Sequence, residues 1–331
     1  MGAPPRAGAR APDDPTDQQP SQIRHRPRGR DDGRCEEARA DWPQTALAAR
    51  EEARLDTVRA RFTGPCFGVR DALATVEAAL DGGDARSVVA LGSIVHNPQA
   101  QERLAVRGLT VERDPARVAA GARLVVTAHG APPAVFEEAA RRGLEVVDTT
   151  CPLVRRVQEA AIAVRDSGRT LVVVGHGDHP EVRGVLGWAG CGHLVPTPED
   201  AASVPEGRHL GVVVQSTFPG AHLPPILAAL EARALSVEVH DTRCPVVTRR
   251  QRDGGHLVEE ADVIVVVGGR SSANTRALAE TCAARRPTYH VETPDEVRRE
   301  WFSPGQRIGI ASGTSTPDWL VDAVDQLCRS F

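Results

Sequence analysis

The chain has 331 residues, a formal net charge of −4 and 41% hydrophobic residues, which is typical of a globular protein with one large or two to three small domains. The charge gives no general attraction to nucleic acid or to anionic membranes. The longest apolar runs, such as 263–267, are strand-sized and far short of the roughly 18 residues that a membrane span needs. We therefore expect a cytoplasmic protein that binds neither nucleic acid nor membrane.

Residues 1–45 are rich in Pro, Gly, Arg and Asp and nearly lack large apolar side chains. Such a segment cannot bury enough surface to order itself, so we predict a disordered N-terminal tail. A targeting peptide is disfavoured, because a secretory signal needs an apolar centre and transit peptides are poor in acidic residues. This tail instead carries Asp13, Asp14, Asp17, Asp31 and Asp32.

After the tail, short β-branched runs alternate with amphipathic stretches rich in Ala, Arg and Glu. This pattern predicts an α/β fold built on largely parallel sheet, with helices covering both faces. In such sheets ligands bind at the carboxyl ends of the strands, so function is expected in the turns. The predicted strands are 87–94, 123–128, 144–148, 170–175, 209–214, 235–240, 262–267 and 307–311.

One turn occurs twice. The segments "DTTCPLVRRVQ" (148–158) and "DTRCPVVTRRQ" (241–251) are identical at seven of eleven positions, and "TGPCFGVRDAL" (63–73) is a looser third copy. In the first two copies Pro follows the cysteine, and Pro is favoured at the first helical position. The sequence thus predicts that Cys66, Cys151 and Cys244 are helix N-caps, where the helix dipole should lower the thiol pKa.

Other polar residues recur at matching offsets from these cysteines. His96, His179 and Ser272 follow Cys66, Cys151 and Cys244 by 30, 28 and 28 residues, and His129, Ser216 and Ser315 follow them by 63, 65 and 71. Three such units about a pseudo-threefold axis would bring three thiolates and six polar groups to one centre.

Three convergent thiolates have several possible uses. A disulfide is disfavoured in a cytosolic protein and would leave one sulfur over. Zinc accepts three thiolates and a fourth ligand, but its usual close Cys-x-x-Cys pairs are lacking. An iron–sulfur cluster on three cysteines leaves one iron free to bind a substrate. Spacing alone favours a metal site only modestly over ordinary burial, whereas Cys282 and Cys328 lie in helical patterns typical of core thiols.

Nine motifs now carry a resemblance. In order they are "GPCFGV", "GSIVHN", "TAHG", "DTTCPLV", "GHGDHPEVRG", "QST", "CPVVTRRQ", "SSANT" and "SGTSTPD", spread over about residues 60–325. The series resembles the 4-hydroxy-3-methylbut-2-enyl diphosphate reductase family. The resemblance implies a trefoil of three pseudo-threefold-related α/β units, 46–150, 151–243 and 244–331, with the strand before Cys66 packing in the third. It also implies a central [4Fe-4S] cluster on Cys66, Cys151 and Cys244 with one open iron.

The resemblance further implies the last step of the mevalonate-independent isoprenoid pathway, the reduction of an allylic hydroxy diphosphate to isopentenyl and dimethylallyl diphosphates. An external electron donor such as ferredoxin or flavodoxin with its reductase would be needed. Glu181 matches the family's proton donor, and Ser216 would relay the proton. The positions that match substrate contacts are His96, His129, His179, Ser216, Ser272, Asn274 and Ser315.

The chain also departs from the family pattern. Pro65 and Phe67 flank Cys66 where the family usually has Gly-Phe-Cys, and Ala273 stands where a second Ser is frequent. Because the matching ligands and acid are intact, we expect activity. The alternatives are a divergent paralogue that keeps the cluster as a redox or iron sensor, one that acts on a related allylic diphosphate, and a zinc hydrolase.

Overall fold

The computed structural model describes residues 55–83 and 86–331, so the predicted tail and Cys35 lie outside the described residues. The strands are β1 (Asp56–Arg59), β2 (Val88–Leu91), β3 (Thr110–Glu112), β4 (Arg123–Val126), β5 (Glu145–Asp148), β6 (Thr170–Val174), β7 (His193–Leu194), β8 (His209–Val214), β9 (Ser236–His240), β10 (Val263–Val267), β11 (Thr288–Val291) and β12 (Arg307–Ser312).

Nine α-helices are assigned in the described ranges: α1 (Phe67–Asp81), α2 (Pro98–Val106), α3 (Pro133–Arg141), α4 (Pro152–Asp166), α5 (Pro180–Ala189), α6 (Leu223–Glu231), α7 (Pro245–Glu260), α8 (Ala273–Ala283) and α9 (Asp318–Ser330). Short 3₁₀ helices occupy Pro115–Arg117, Glu199–Ser203, Gly220–His222, Pro294–Glu296 and Arg299–Trp301.

The strands form three four-stranded parallel sheets that share one strand order. The orders are β3-β2-β4-β5, β7-β6-β8-β9 and β11-β10-β12-β1. In the first two sheets the fourth strand follows the third along the chain, whereas the fourth strand of the third sheet is β1. It pairs with β12 from Asp56 opposite Arg307 to Arg59 opposite Ile310. The repeated order confirms the predicted α/β architecture of three similar units.

The hydrophobic core explains why the central strands read as unbroken apolar runs. In the second sheet, Val172 and Val212 face one buried cluster, while Val173 and Val213 face another on the opposite side. Helices cover both faces of the sheet, so successive residues of a central strand are buried on alternate sides. All five residues of β10 are likewise buried.

Each cysteine turn joins one sheet to the next unit. Cys151 lies between β5 and α4, Cys244 between β9 and α7, and Cys66 between β1 and α1. All three cysteines are helix N-caps, as the sequence predicted, although none uses its sulfur to cap a backbone N–H. The three turns therefore leave from equivalent edge strands at the carboxyl ends of the three sheets.

All eight predicted strands are present, with small shifts of their ends. The largest shift is in 87–94, which ends at Leu91 because Gly92 adopts φ +87, a left-handed conformation that breaks the extended backbone. β3, β7 and β11 were not predicted. Each is two to four residues long and occupies the same edge of its sheet, where short strands without a strong apolar pattern are common.

Candidate active site

One cavity brings together every predicted site residue. Its volume is about 100 Å³. Its lining includes Cys66, His96, His129, Cys151, His179, Glu181, Ser216, Cys244, Ser272, Asn274 and Ser315. Residues from all three units thus meet at one centre.

The three cysteines are held by equivalent backbone hydrogen bonds across the unit boundaries. The Cys151 N–H donates to the Ala128 carbonyl at 3.1 Å, the Cys244 N–H to Ser216 at 2.8 Å and the Cys66 N–H to Thr314 at 3.0 Å. Each acceptor lies two residues beyond the end of the third strand of a sheet, β4, β8 or β12. The pseudo-threefold relation between the units therefore extends to the individual hydrogen bonds of the three cysteines.

These bonds correct the equivalences read from sequence offsets. Ser216 corresponds to Ala128 and Thr314, so the residue equivalent to His129 and Ser315 is Thr217. In the other set, His179 and Ser272 cap α5 and α8, and the residue that caps α2 is Asn97, one position after His96. Offsets counted along the chain missed these one-residue shifts because the intervening loops differ in length.

Two polar lining residues, Thr217 and Thr314, were missed by the sequence analysis. Both stand inside quoted motifs, "QST" and "SGTSTPD", next to a predicted site residue. Their position in the turn that follows the third strand of a sheet could have identified them as site residues. The Thr314 hydroxyl accepts from the Asn274 amide at 3.3 Å and so helps to orient that side chain.

The expected lowering of the thiol pKa is wrong for Cys151 and Cys244. Burial raises the pKa of both thiols, and the N–H groups of the first helical turn, which lower it, only partly offset that effect. A half-buried sulfur loses more hydration than the helix terminus returns. Without a positively charged partner these groups remain thiols at neutral pH.

The cysteine site suits a metal-bound sulfur cluster. All three sulfurs are free, line the same cavity and come from separate helices. Gly68 in α1 keeps the space open, because a Cβ there would lie 2.7 Å from the Cys151 sulfur. The three cysteines offer soft thiolate ligands and no carboxylate ligand. Such a ligand set favours an iron–sulfur cluster or zinc. In contrast, Cys282 and Cys328 are fully buried in α8 and α9, as predicted for core thiols, and Cys191 is exposed.

Three histidines form a tight group in the cavity. The ring centroids of His96 and His129 are 4.7 Å apart, those of His129 and His179 5.3 Å, and those of His96 and His179 5.7 Å. Burial lowers the pKa of each, with repulsion from neighbouring cations as a further cause, and brings that of His179 to about 4. The group is therefore neutral at pH 7 unless an anion enters.

The histidine group has the spacing of a metal site, since one ligand atom from each ring lies within 4.8 Å of the others. The tautomer of His179 argues against that use. Its Nδ1 accepts the Glu181 backbone N–H at 3.2 Å, so the proton of the neutral ring is on Nε2. An N–H that faces the cavity donates to an anion but does not ligate a metal.

Glu181 is the buried acid of the site. It is 1% exposed, although it lies in the first turn of α5, where a glutamate is usually in water. Its carboxylate accepts the Ser216 N–H at 2.7 Å and the Ser216 hydroxyl at 2.8 Å. Burial raises the pKa of Glu181 to about 6 despite these two hydrogen bonds, which lower it. A carboxyl with this pKa holds its proton far more readily near neutral pH than an exposed glutamate.

Serine and asparagine side chains complete the cavity wall. Ser272 and Asn274 start α8 and are 4% and 2% exposed, and the Ser315 hydroxyl donates to the His96 carbonyl at 3.3 Å. The Asn274 Oδ1 has no hydrogen-bond partner among residues 55–83 and 86–331. Phe67 is 45% exposed at the first position of α1, so its ring does not fill the space beside Cys66.

Three α/β units around a cavity with three thiols, three histidines and a buried acid define a metalloenzyme-like architecture. The family model described as "LytB protein" matches residues 57–329. The chain is 38% identical over 280 residues to the 4-hydroxy-3-methylbut-2-enyl diphosphate reductase of Geobacter sulfurreducens, covering 84% of this chain and 98% of that protein. It is 40% identical over 270 residues to the enzyme of the same name from Anaeromyxobacter sp. strain Fw109-5, covering 80% and 94%.

Two solved structures are also similar to this chain. A structure described as (E)-4-hydroxy-3-methyl-but-2-enyl diphosphate reductase, the terminal enzyme of the non-mevalonate pathway, superposes with a TM-score of 0.66 at 34% identity, covering 84% of this chain and 100% of that one. The Plasmodium falciparum E-1-hydroxy-2-methyl-but-2-enyl-4-diphosphate reductase gives 0.76 at 25% identity, covering 83% and 88%. The chain therefore belongs to the LytB family, which implies an iron–sulfur cofactor. Among the described residues no helix is long and apolar enough to cross a membrane.

Proposed function

We propose that the protein reduces (E)-4-hydroxy-3-methylbut-2-enyl diphosphate to isopentenyl and dimethylallyl diphosphates. One substrate molecule takes up two electrons and two protons; the C–O bond breaks, the hydroxyl leaves as water, and a C–H bond forms on the allylic fragment. The observation that carries the proposal is the placement of the buried, Ser216-bonded Glu181 in the same cavity as three cysteines and three histidines.

Cys66, Cys151 and Cys244 would hold a [4Fe-4S] cluster with one iron that has no protein ligand. When bound, the cluster supplies the electrons and a Lewis-acidic iron for the hydroxyl end of the substrate. The protein's part is to fix three sulfurs at three helix starts. Gly68 supports this role because it leaves room beside the Cys151 sulfur.

The diphosphate would lie against the histidine group and the start of α8. His96, His129 and His179 offer N–H donors, Ser272 and Ser315 hydroxyls, and Asn274 an amide. A diphosphate raises the pKa of nearby imidazoles, which converts neutral donors into cations and strengthens the contacts. The Asn274 NH₂ group has two donors, one of which goes to the Thr314 hydroxyl, so the other is left for the diphosphate.

Glu181 would deliver the proton to the departing hydroxyl. Its carboxyl is protonated to a useful extent near pH 6, and the Ser216 hydroxyl 2.8 Å away provides the next step of a relay. In the protonated state Glu181 donates to Ser216, whose own hydroxyl proton then points into the cavity. A general acid held at this position protonates the hydroxyl as the C–O bond breaks, so that water leaves instead of hydroxide.

The electrons would come from an external donor such as ferredoxin or flavodoxin with its reductase, because the reaction itself supplies no reductant. Together with the cytoplasmic location, this partner stays a prediction from the sequence.

The proposal is tested on protein purified without oxygen. We expect a brown protein with iron and sulfide that consumes the hydroxylated diphosphate when a reduced donor is present. Cys66→Ser, Cys151→Ser and Cys244→Ser should each lose or destabilise the cluster, while Cys191→Ser, Cys282→Ser and Cys328→Ser retain it. A cluster that stays unchanged in Cys151→Ser would refute the ligand assignment, and a colourless zinc protein would refute the function.

A further inference from the structure

Arg250 is a buried cation that the proposed reaction does not use. It lies in α7, six residues after Cys244, and is 4% exposed. The residues six positions after Cys66 and Cys151 are Ala72 and Val157, which are also buried but apolar. Only the third unit has a charge at this position, although the fold around it is repeated.

The hydrogen bonds of Arg250 go to neutral backbone groups. Its Nη1 donates to the carbonyls of Gly64 at 2.7 Å, Gly313 at 2.9 Å and Ser312 at 3.1 Å, and its Nε has no partner. Within the described ranges no carboxylate comes within ion-pair distance of the guanidinium. The acid one turn further along α7, Asp253, instead accepts the Phe62 N–H at 3.0 Å.

A buried guanidinium without a counter-ion is costly, since desolvation of an unpaired charge is of the order of several kcal/mol. Burial accordingly lowers the pKa of Arg250, and the influences in the opposite direction are first the sulfur of Cys66 and then the more distant charges of Asp253 and Asp318. The charge is therefore explained if the cysteine site is anionic when it is occupied.

Arg250 also lies where the three-unit ring is closed without a covalent link. Gly64 is two residues before Cys66 on the loop after β1, and Ser312 and Gly313 precede the turn that carries Ser315. The Gly64 N–H also donates to the Ser312 hydroxyl at 2.9 Å, which links the loop after β1 to the end of β12. One side chain thus ties the loop with a cysteine to the loop with a cavity serine.

We infer that Arg250 positions Cys66 and supplies a fixed positive charge that stabilises the reduced state of the proposed cluster. The inference rests on the proposed function, because it needs an anionic cluster beside Cys66. Each added electron makes the cluster more negative, so a nearby buried cation raises the reduction potential. Arg250 touches no substrate in this role and acts only through Cys66 and the cluster charge.

The test is a redox titration of the anaerobic holoenzyme, followed by its EPR signal, for wild type, Arg250→Lys, Arg250→Gln and Arg250→Met. We expect a lower midpoint potential in the two neutral variants and a value closer to wild type in Arg250→Lys. Hydrogen exchange at the Gly64 and Cys66 amides should rise in the neutral variants. Arg249→Met is the matched control, because Arg249 is the exposed neighbour that lies over the Phe62 ring, and its potential should equal that of wild type.

Equal potentials in wild type and Arg250→Met, with the cluster present in both, would overturn the electrostatic role. Assembly of a cluster in Arg250→Lys but in neither neutral variant would support it, and failure of all three variants would reject it in favour of a purely structural role. Iron and sulfide are measured on the wild type first. Their absence there would contradict the proposed function itself, which is a different result from equal potentials.

Discussion

The role of Glu181 depends on its surroundings. The sequence places it just after Pro180 at a helix start, where a solvent-exposed glutamate is the ordinary outcome. The structure instead packs α5 so that the carboxyl enters the cavity and meets Ser216. The same burial that raises its pKa to about 6 fits it for proton donation.

Glu181→Gln keeps the size and the hydrogen bonding of the side chain but cannot donate a carboxyl proton. We expect a fall in turnover of about 10²–10⁴-fold, the usual value of general acid catalysis, with little change in substrate affinity. Steady-state turnover and substrate binding to the loaded protein measure the two effects separately. Near-normal turnover with weaker binding would mean that the proton comes from another group.

The raised pKa of Glu181 also makes stability depend on pH. The unfolded chain releases this proton near 4.5 and the folded chain near 6, so the folded state binds more protons between these values and loses stability as pH rises through them. The shift corresponds to about 2 kcal/mol at pH above 6. In chemical unfolding of the apo-protein, Glu181→Gln should gain stability relative to wild type across this window. A difference that stays constant from pH 4 to 7 would contradict the assigned shift.

The histidine group should make ligand binding depend on pH. Because burial keeps His96, His129 and His179 neutral, an entering diphosphate should draw protons onto them. Titration calorimetry with pyrophosphate in buffers of different ionisation enthalpy should show proton uptake and tighter binding as pH falls from 8 to 6. His129→Gln should reduce both effects, while His256→Gln, on the exposed side of α7, should not. Binding without proton uptake would show that neutral N–H donors suffice.

At the scale of elements, the strand-to-helix turn was the most predictable feature. The cysteine, its following proline and the apolar run before it each favour the same conformation, so local preferences agree. The edge strands β3, β7 and β11 were unpredictable for the converse reason. Their few residues pair on one side only, and the neighbouring central strand, not the local sequence, makes them extended.

The site was predicted as a set of residues but not as a geometry. Motifs place Ser216 and Thr217 side by side, yet only the hydrogen bond from the Cys244 N–H shows which of them is equivalent to Thr314. The cavity face of Glu181 and the tautomer of His179 likewise depend on how α5 packs. The prediction of a lowered thiol pKa was wrong for the same reason. The sequence indicates that each cysteine precedes a helix, but it does not indicate how deeply the sulfur is buried.

The contact between α1 and α4 gives a prediction at this scale. Gly68 is buried in α1, and a Cβ there would lie 2.7 Å from the Cys151 sulfur and 3.4 Å from its Cβ. Gly68→Ala should therefore push the two helix starts apart, lower the iron content and lower the melting temperature. Gly255→Ala is the control, since no atom lies within 4 Å of its added methyl group in α7. That change should instead stabilise the protein by about 0.5–1 kcal/mol.

At the scale of the whole molecule, the described chain closes on itself by the pairing of β1 with β12 and by side-chain contacts beside it. The fourth strand of the first two sheets follows a helix that crosses from the third strand, but β1 joins β12 across 251 positions of sequence, the separation of the ion pair between Arg307 and Asp56. The seam between β1 and α9 is held by Asp325, which is 3% exposed. Its carboxylate accepts the Thr57 hydroxyl and the Arg59 Nε, both at 2.6 Å.

This seam leads directly to Cys66, so its loss should weaken both the fold and the metal site. Asp325→Ala leaves Thr57 without its acceptor, and we expect it to lower the free energy of unfolding by about 1–3 kcal/mol. Asp322→Ala is the matched control, because Asp322 is half-exposed and its ion pair among the described residues is with Arg59 alone, an arrangement worth about 0–1 kcal/mol.

Burial opposes ionisation of Asp325, but hydrogen bonds from Thr57, Arg59 and Arg329 outweigh it and lower its pKa. The stabilisation is therefore complete above the ordinary aspartate pKa of about 3.9 and is lost as pH falls below it. Urea unfolding of wild type and both variants from pH 7 down to pH 3 should show a gap for Asp325→Ala that narrows in acid. The loaded Asp325→Ala protein should also release iron to a chelator faster than Asp322→Ala does. Equal release rates, together with a pH-independent gap, would mean that β1 is held by its backbone pairing with β12 and that Asp325 has no part in placing Cys66.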